Sequence, residues 1–229
     1  YGAYGYRYIP AVITNIEFER LVCATGPTGG RLITPEGAPA RTIAFIQCVG
    51  SRNERYNSYC SGYCCTASIK EAILALEHEP YGHVTIFYND IRTAGKGFEE
   101  LYQRALDKGV RFIRGIPSKV EEDPYTKQPI IHYYDMKSGK REKLSVDLAV
   151  LAVGLVPEHL DIRWNVKIKP DTDGYGFYRE REKTLHSLKS DLTGVFFLGT
   201  CHGPRDITQT VAEASGVAAE VQAFLNVNE

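Results

Sequence analysis

The feature that most constrains this chain is a set of short, unbroken apolar runs separated by stretches with helical spacing. Residues 42–48 (TIAFIQC), 84–88 (VTIFY) and 110–114 (VRFIR) are rich in β-branched and aromatic side chains, as strands buried in a parallel sheet are. Between the first two, residues 67–79 place Ala67, Ile69, Ala72, Ile73 and Leu76 at helical spacing, and residues 97–107 supply a second helix before the third strand. A β-α-β-α-β alternation with right-handed crossovers predicts one doubly wound parallel sheet. Residues 147–154 (DLAVLAVG) add another buried strand, closed by Gly154 and Pro157. The segment before it differs. Residues 119–122, 130–134 and 143–146 alternate polar and apolar, with turns at Asp123-Pro124 and Ser138-Gly139, which predicts an antiparallel meander. The basic tract 137–143 reads as a solvated hairpin.

The flanks are less regular. Residues 11–15 read as a short strand, 16–22 as a helical turn or two, and 24–40 (ATGPTGGRLITPEGAPA) as a linker or long connection. Near the other end, residues 194–198 (GVFFL) predict a buried strand, followed by the turn Gly199-Thr200-Cys201-His202-Gly203-Pro204. Residues 206–225 then read as one helix with Asp206 as N-cap, and its small residues Ala212, Ala214, Gly216, Ala218 and Ala219 suit close packing on a sheet. Three parallel strands, a meander and a return strand describe a nucleotide-binding domain of the type found in flavoproteins with two dinucleotide domains.

Charge and composition exclude other classes. With 27 Lys+Arg against 28 Asp+Glu there is no basic excess of the kind a nucleic-acid binder shows. At 43% hydrophobic and 24% charged residues the chain is ordinary globular rather than disordered. No run approaches the 18 or so apolar residues of a membrane span, and no signal pattern opens the chain. The start Tyr1-Gly2-Ala3-Tyr4 lacks Met, so a piece of a longer, cytoplasmic polypeptide is expected.

Four of the six cysteines, Cys48, Cys60, Cys64 and Cys65, fall in one loop and the start of the following helix; Cys23 and Cys201 stand apart. Such clustering, with no signal segment, points to a metal, an iron–sulfur cluster or redox chemistry in a reducing compartment rather than to a disulfide scaffold. The loop (CVGSRNERYNSYCSGYCC) stands where a dinucleotide-binding domain carries G-x-G-x-x-G, and that fingerprint is missing from the chain. Ordinary NAD binding is therefore disfavoured there. Four thiolates supply one soft ligand per iron of a [4Fe–4S] cluster. The spacing departs from the C-x2-C pairs of zinc ribbons and from the C-x-x-C of redox dithiols. An iron–sulfur site, a structural zinc and redox or inert thiols all stay open at this point. Cys23 reads as a packed core residue.

A family resemblance rests on motifs spread along nearly the whole chain: Ile13-Thr14-Asn15, Gly26-Pro27-Thr28-Gly29-Gly30, Ile46-Gln47-Cys48-Val49-Gly50-Ser51-Arg52, Tyr59-Cys60-Ser61 and Cys64-Cys65. Phe87-Tyr88, Asp90-Ile91-Arg92, Gly97-Phe98-Glu99-Glu100, Val153-Gly154-Leu155-Val156-Pro157 and Gly203-Pro204-Arg205-Asp206-Ile207 continue it. Together they resemble the A subunit of heterodisulfide reductase, and the related A subunit of the quinone-interacting membrane-bound oxidoreductase. The resemblance implies an α/β, thioredoxin-reductase-like flavoprotein fragment: a Rossmann-like three-layer parallel sheet with an antiparallel β-meander, plus parts of the FAD domain. Residues 1–40 would be an FAD-domain segment and linker, 41–157 the NAD(P)-domain-like unit carrying the cysteine loop, and 158–229 the return into the FAD domain.

It also implies FAD and a [4Fe–4S] cluster as cofactors of an oxidoreductase. A protein of this kind passes electrons between them and partner subunits of a heterodisulfide-reductase-like or quinone-linked complex. Ferredoxin is among the exchange partners, and some members split electron pairs between a disulfide and ferredoxin. Cys48, Cys60, Cys64 and Cys65 match the family's extra cluster site. Lys70 matches a lysine placed near the flavin ring, where a cation stabilises reduced, anionic flavin. Gly199, Thr200, Gly203, Pro204, Asp206, Ile207 and Thr208 match its second FAD-contacting turn, where N–H groups at a helix start meet flavin or phosphate oxygens. The N-terminal half bearing the family's FAD fingerprint is not in this sequence, so the piece alone is expected to be inactive.

Overall fold

A computed structural model of the chain describes residues 4–158 and 170–227, so most of the opening Tyr1-Gly2-Ala3-Tyr4 motif lies outside the described residues. The chain falls into two compact units, residues 1–59 with 63–154, and residues 60–62 with 155–229.

The first unit is built on a five-stranded, wholly parallel sheet in the order β1 (Val12–Thr14), β8 (Leu148–Val153), β2 (Thr42–Val49), β3 (His83–Tyr88), β4 (Arg111–Arg114). Strand β2 is central, with Phe45 opposite Ile86 of β3 on one side and Val150 of β8 on the other. Both faces of the sheet are covered, which is why these strands read as continuous apolar runs instead of alternating ones. On one face α1 (Asn15–Val22), α2 (Cys64–His78) and α3 (Phe98–Asp107) bring Phe18, Ile69, Ala72 and Ala105 onto Ile43, Phe45, Ile86 and Val150. On the other, the antiparallel meander β5 (Lys119–Glu122), β6 (Pro129–Asp135), β7 (Lys140–Ser145) lays Val120, Ile131 and Tyr133 over Ala44, Ile46, Phe87 and Leu151. The parallel α/β sheet is the one the alternation predicts, but it is not doubly wound: its helices cover one face only, and the second face carries the meander, the three-layer form that the resemblance implies.

Local chemistry sets the boundaries. Helix α1 opens on a capping box, in which Glu17 N–H donates to the Thr14 hydroxyl at 3.3 Å and Thr14 N–H donates to the Glu17 carboxylate at 2.6 Å. The Asp147 carboxylate accepts from Thr42 N–H (2.7 Å), Arg41 N–H (2.9 Å) and the Gln128 side chain (2.8 Å), tying the starts of β2 and β8 to the meander. Helix α2 starts at Cys64, three residues before the expected position, because Cys64, Cys65 and Ser68 extend its buried stripe. The segment 24–40 is a long connection that buries Leu32 and Ala40 in the helical face of the core.

The second unit corrects two expectations. Residues 194–198 are not a strand; only Phe196 makes a ladder contact, one isolated bridge to Lys189. Their apolar demand is met by ring packing, Phe196 against Phe224 of the last helix (6.1 Å) and Phe197 stacked on Tyr178 (5.2 Å). That helix, α4 (Ile207–Val227), therefore packs on irregular chain rather than on a sheet: a Cβ at Gly216 would come within 2.8 Å of Leu188. Asp206 caps it as expected, accepting from Gln209 N–H at 2.7 Å while its own N–H donates to the Gln209 side chain at 3.0 Å. No helix among the described residues is long and apolar enough to cross a membrane.

Candidate functional site

Open α/β sheets hold their ligands at the carboxyl ends of the strands, and the structure brings three of the predicted cysteines there. Cys48 sits where β2 loses register with β8 between Ile46 and Val49, in a left-handed conformation (φ 59°) uncommon for a side-chain-bearing residue. Cys64 and Cys65 open α2. The Cys64 thiol faces the carbonyl of Val153, at the end of β8, at 3.7 Å; the Cys65 thiol faces the carbonyl of Asp90, just past β3, at 3.8 Å. Strands β8 and β3 flank β2, so the adjacent thiols straddle the strand that carries Cys48.

A small network fixes this edge. The Tyr63 hydroxyl donates to the Val153 carbonyl at 3.1 Å, Asn15 of α1 donates to Tyr63 at 3.4 Å, and Val153 N–H donates back to the Asn15 side chain at 3.2 Å. Burial pushes the Tyr63 phenol above its ordinary value. Arg52, also in a left-handed conformation, is ion-paired with Asp90, and Arg92 approaches the same carboxylate at 3.5 Å. The Arg52 bond holds Asp90 below the usual carboxylate range, and Asp90 together with the Cys48 side chain strengthens the Arg52 charge.

Cys60 belongs to the second unit, where its sulfur accepts from Gly62 N–H at 3.4 Å. Among the described residues no three ligand-type side chains meet as an ion-holding group, and none of the six cysteines forms a disulfide. Four buried polar atoms, on residues next to these cysteines in sequence or in helical phase, have no hydrogen-bond partner: both amide atoms of Gln47 and the hydroxyls of Ser51 and Ser68. Soft sulfur side chains at a ligand-binding edge, with unpaired donors on Gln47, Ser51 and Ser68, fit a thiolate-held group in their chemistry. An open cavity of about 520 Å³ at the far end of α2, lined by Gly30, His78 and Glu79 among others, touches none of these residues.

Lys70 lies six residues after Cys64 on α2, half exposed and ion-paired with Glu19 of α1. Its neighbour Glu71 is only 2% exposed, and burial raises its carboxyl to about 8 against an ordinary 4.5. Sequence reasoning missed Glu71; the signal was helical phase, since it lies three residues after Ser68 and four before Ala75, both buried.

In the second unit Glu213 organises the predicted turn. Its carboxylate accepts from Gly199 N–H at 2.8 Å, from the buried His202 ring at 3.1 Å and from the Arg205 guanidinium at 2.5 Å. Burial alone would raise Glu213, but these bonds, Arg205 first, hold it below the usual value. The Gly199 N–H is thus occupied, while Thr200 and Thr208 are exposed and Ile207 and Thr208 begin α4. A side chain at Gly199 (φ 67°) would be strained, and its Cβ would press on Thr210 at 3.0 Å. Cys23 is not a core residue: it is half-buried and its sulfur lies 3.2 Å from the Thr25 hydroxyl.

No protein-family model matches the chain. Curated relatives do. An iron-sulfur A subunit of CoB–CoM heterodisulfide reductase from Methanopyrus kandleri is 42% identical over 231 residues, covering 99% of this chain and 35% of that protein. The iron-sulfur A subunit of CoB–CoM heterodisulfide reductase from Methanocaldococcus jannaschii is 40% identical over 95% of the chain and 34% of its own length. The A subunit of H(2)/formate:CoB-CoM heterodisulfide,ferredoxin reductase from Methanococcus maripaludis is 41% identical with the same coverage. The chain spans about a third of the length of these relatives. Among solved structures, thioredoxin reductase from T. acidophilum superposes with a TM-score of 0.61 over 100% of this chain and 62% of that one, at 13% identity. That from Lactococcus lactis gives 0.53 over 81% and 53%, at 21% identity. The fold is thioredoxin-reductase-like, and over nearly all its residues the chain is similar to the A subunit of heterodisulfide reductase, as its motifs imply.

Proposed function

We propose that the chain is part of an electron-transferring oxidoreductase of the type of the heterodisulfide reductase A subunit, using FAD and a [4Fe–4S] cluster. The observation that carries this reading is the set of thiols at the carboxyl edge of a thioredoxin-reductase-like sheet, standing where the glycine fingerprint is missing. Cys48, Cys60, Cys64 and Cys65 would hold the cluster. When bound, FAD exchanges electron pairs and the cluster single electrons. The chain's own part is to place and insulate them. Asn15 and Tyr63 pin the start of α2, and Arg52 sets a positive charge beside Cys48 that offsets thiolate charge. Lys70 would supply a cation to the flavin ring, with Glu19 orienting it.

In the second unit Gly199, Thr200, Gly203, Pro204, Asp206, Ile207 and Thr208 would contact FAD. Ile207 and Thr208 stand in the first turn of α4, where N–H groups lack intrahelical partners; Gly199 gives the turn its shape, because its own N–H serves Glu213. Residues 158–229 would contribute to an FAD domain, whereas β1 and α1 of the segment 1–40 are built into the sheet unit. The whole protein would work in a complex with partner subunits and exchange electrons with ferredoxin, in some conditions by bifurcation.

Anaerobic reconstitution with ferrous iron and sulfide tests the ligand set. Wild-type chain should bind iron and sulfide together and absorb broadly near about 400 nm. Cys64→Ser and Cys65→Ser should each lose most of that iron, since removing one thiolate weakens the whole site. Cys23→Ser should keep it, because its sulfur is engaged with Thr25. Zinc in place of iron, or full iron in either serine variant, would overturn the assignment.

The same loop argues against nicotinamide binding. Helix α2 begins after Tyr63 with no side-chain cap, and bulky Arg52 and Tyr59 occupy the stretch where glycines would admit a pyrophosphate. Titration with NADH and NADPH should show no saturable signal in the micromolar range; a saturable one would refute this.

A further inference from the structure

Among the described residues, four of the seven buried side-chain atoms without a hydrogen-bond partner belong to Gln47, Ser51 and Ser68. Each of these residues adjoins a thiol of the carboxyl edge. Gln47, 1% exposed, immediately precedes Cys48 on the central strand. Ser51, 6% exposed, closes the turn back onto Cys48, its N–H donating to the Cys48 carbonyl at 3.2 Å. Ser68, fully buried, lies four residues after Cys64 and three after Cys65, on the same face of α2. An unsatisfied buried donor costs about 1–3 kcal/mol, and more than about 90% of such groups in folded proteins have a partner. Apolar residues would fill these positions at no such cost, so polar ones here call for an acceptor that the protein atoms do not provide.

We propose that, in the cluster read above, Gln47, Ser51 and Ser68 donate hydrogen bonds to sulfur atoms on the side of Cys48, Cys64 and Cys65, and so raise its reduction potential; the inference rests on that cluster reading. Thiolate and sulfide sulfurs carry the negative charge of an iron–sulfur group, and one-electron reduction adds to it. Donors aimed at sulfur stabilise the reduced form more than the oxidised one. The Gln47 amide offers two N–H donors and each serine one O–H. They are positioning and tuning groups and are not themselves ligands.

The test compares wild-type chain with Gln47→Leu, Ser51→Ala and Ser68→Ala, each reconstituted anaerobically with ferrous iron and sulfide, by redox titration followed by electron paramagnetic resonance. Iron and sulfide contents should match wild type while midpoint potentials fall. For Gln47→Leu reduction should be about tenfold less favourable, which is about 59 mV for a one-electron couple. Ser68→Thr, which keeps the hydroxyl, should restore the wild-type value that Ser68→Ala loses. Cluster-free Gln47→Leu should resist urea better than cluster-free wild type, because two unsatisfied buried atoms are gone; a merely structural glutamine would give the opposite. If Gln47→Leu does not fold, the two serine variants decide. Clusters with unchanged potentials in the variants would refute the inference alone, whereas no cluster on wild-type chain would overturn the cluster reading and this inference with it.

Discussion

Glu71→Gln should abolish a loss of stability that the wild-type chain suffers as pH rises from about 5 to about 8. Glu71 is 2% exposed on α2, one carboxyl oxygen has no partner, and burial lifts the group from an ordinary 4.5 to about 8. Lys70 opposes that rise, while Glu19 reinforces it by charge and by accepting the Glu71 proton in a hydrogen bond. The sign follows from proton counting. Below about pH 4.5 both folded and unfolded chains hold this proton. Between that pH and about 8 the unfolded chain releases it and the folded chain keeps it, so stability declines by about 1.4 kcal/mol per pH unit. Above about 8 the decline stops, with several kcal/mol lost in all. Glutamine has nearly the same shape and no proton to lose. Urea unfolding at pH 5, 7 and 9, followed by circular dichroism, should give a difference between variant and wild type that grows across the window, with the variant the more stable at pH 9. Other shifted carboxyls, such as Asp90 and Glu213, are common to both proteins and cancel in that difference. Parallel pH profiles would show that Glu71 is ionised in the folded chain.

The same residue marks the limit of reading this chain from sequence. β2, β3 and β8 are legible because strands covered on both faces are apolar at most positions, a pattern that needs no partner to be recognised. The meander is legible by its alternation and turns. Residues 194–198 show where the rule fails: an apolar run records a need for burial, and the rings of Tyr178 and Phe224 met it without a ladder. Cys48, Cys64 and Cys65 are legible as a group because thiols are scarce and their spacing is conspicuous; their straddling of β2 is not, because it depends on β8 inserting between β1 and β2 from far downstream in the chain. Gln47, Ser68, Glu71 and Glu213 are ordinary polar letters whose roles follow only from burial and long-range partners.

Phe45→Ala should be the most damaging single substitution in the first unit, costing about 3–5 kcal/mol. Phe45 is fully buried at the middle of the central strand, between Ile86 and Val150, with helices over it. Its ring meets that of Phe18 edge-on at 5.2 Å, so truncation both opens a cavity and removes an aromatic pair worth about 0.5–1.5 kcal/mol beyond its area. The rigid packing of the surrounding strands prevents the void from closing. Tyr81→Ala, at 92% exposure, should change stability by no more than about 0.5 kcal/mol and serves as control. In a double-mutant cycle, Phe18→Ala with Phe45→Ala should cost less than the sum of the two singles by about that pair energy, because the second truncation has no partner left to lose. The pair bears on the thiol edge as well. Phe18 anchors α1, and Asn15 on that helix accepts from Val153 N–H and donates to Tyr63. Loosening α1 should therefore increase hydrogen exchange at Val153, whose N–H that bond protects. Additive energies in the cycle, with unchanged exchange at Val153, would show that α1 is held by contacts other than this one.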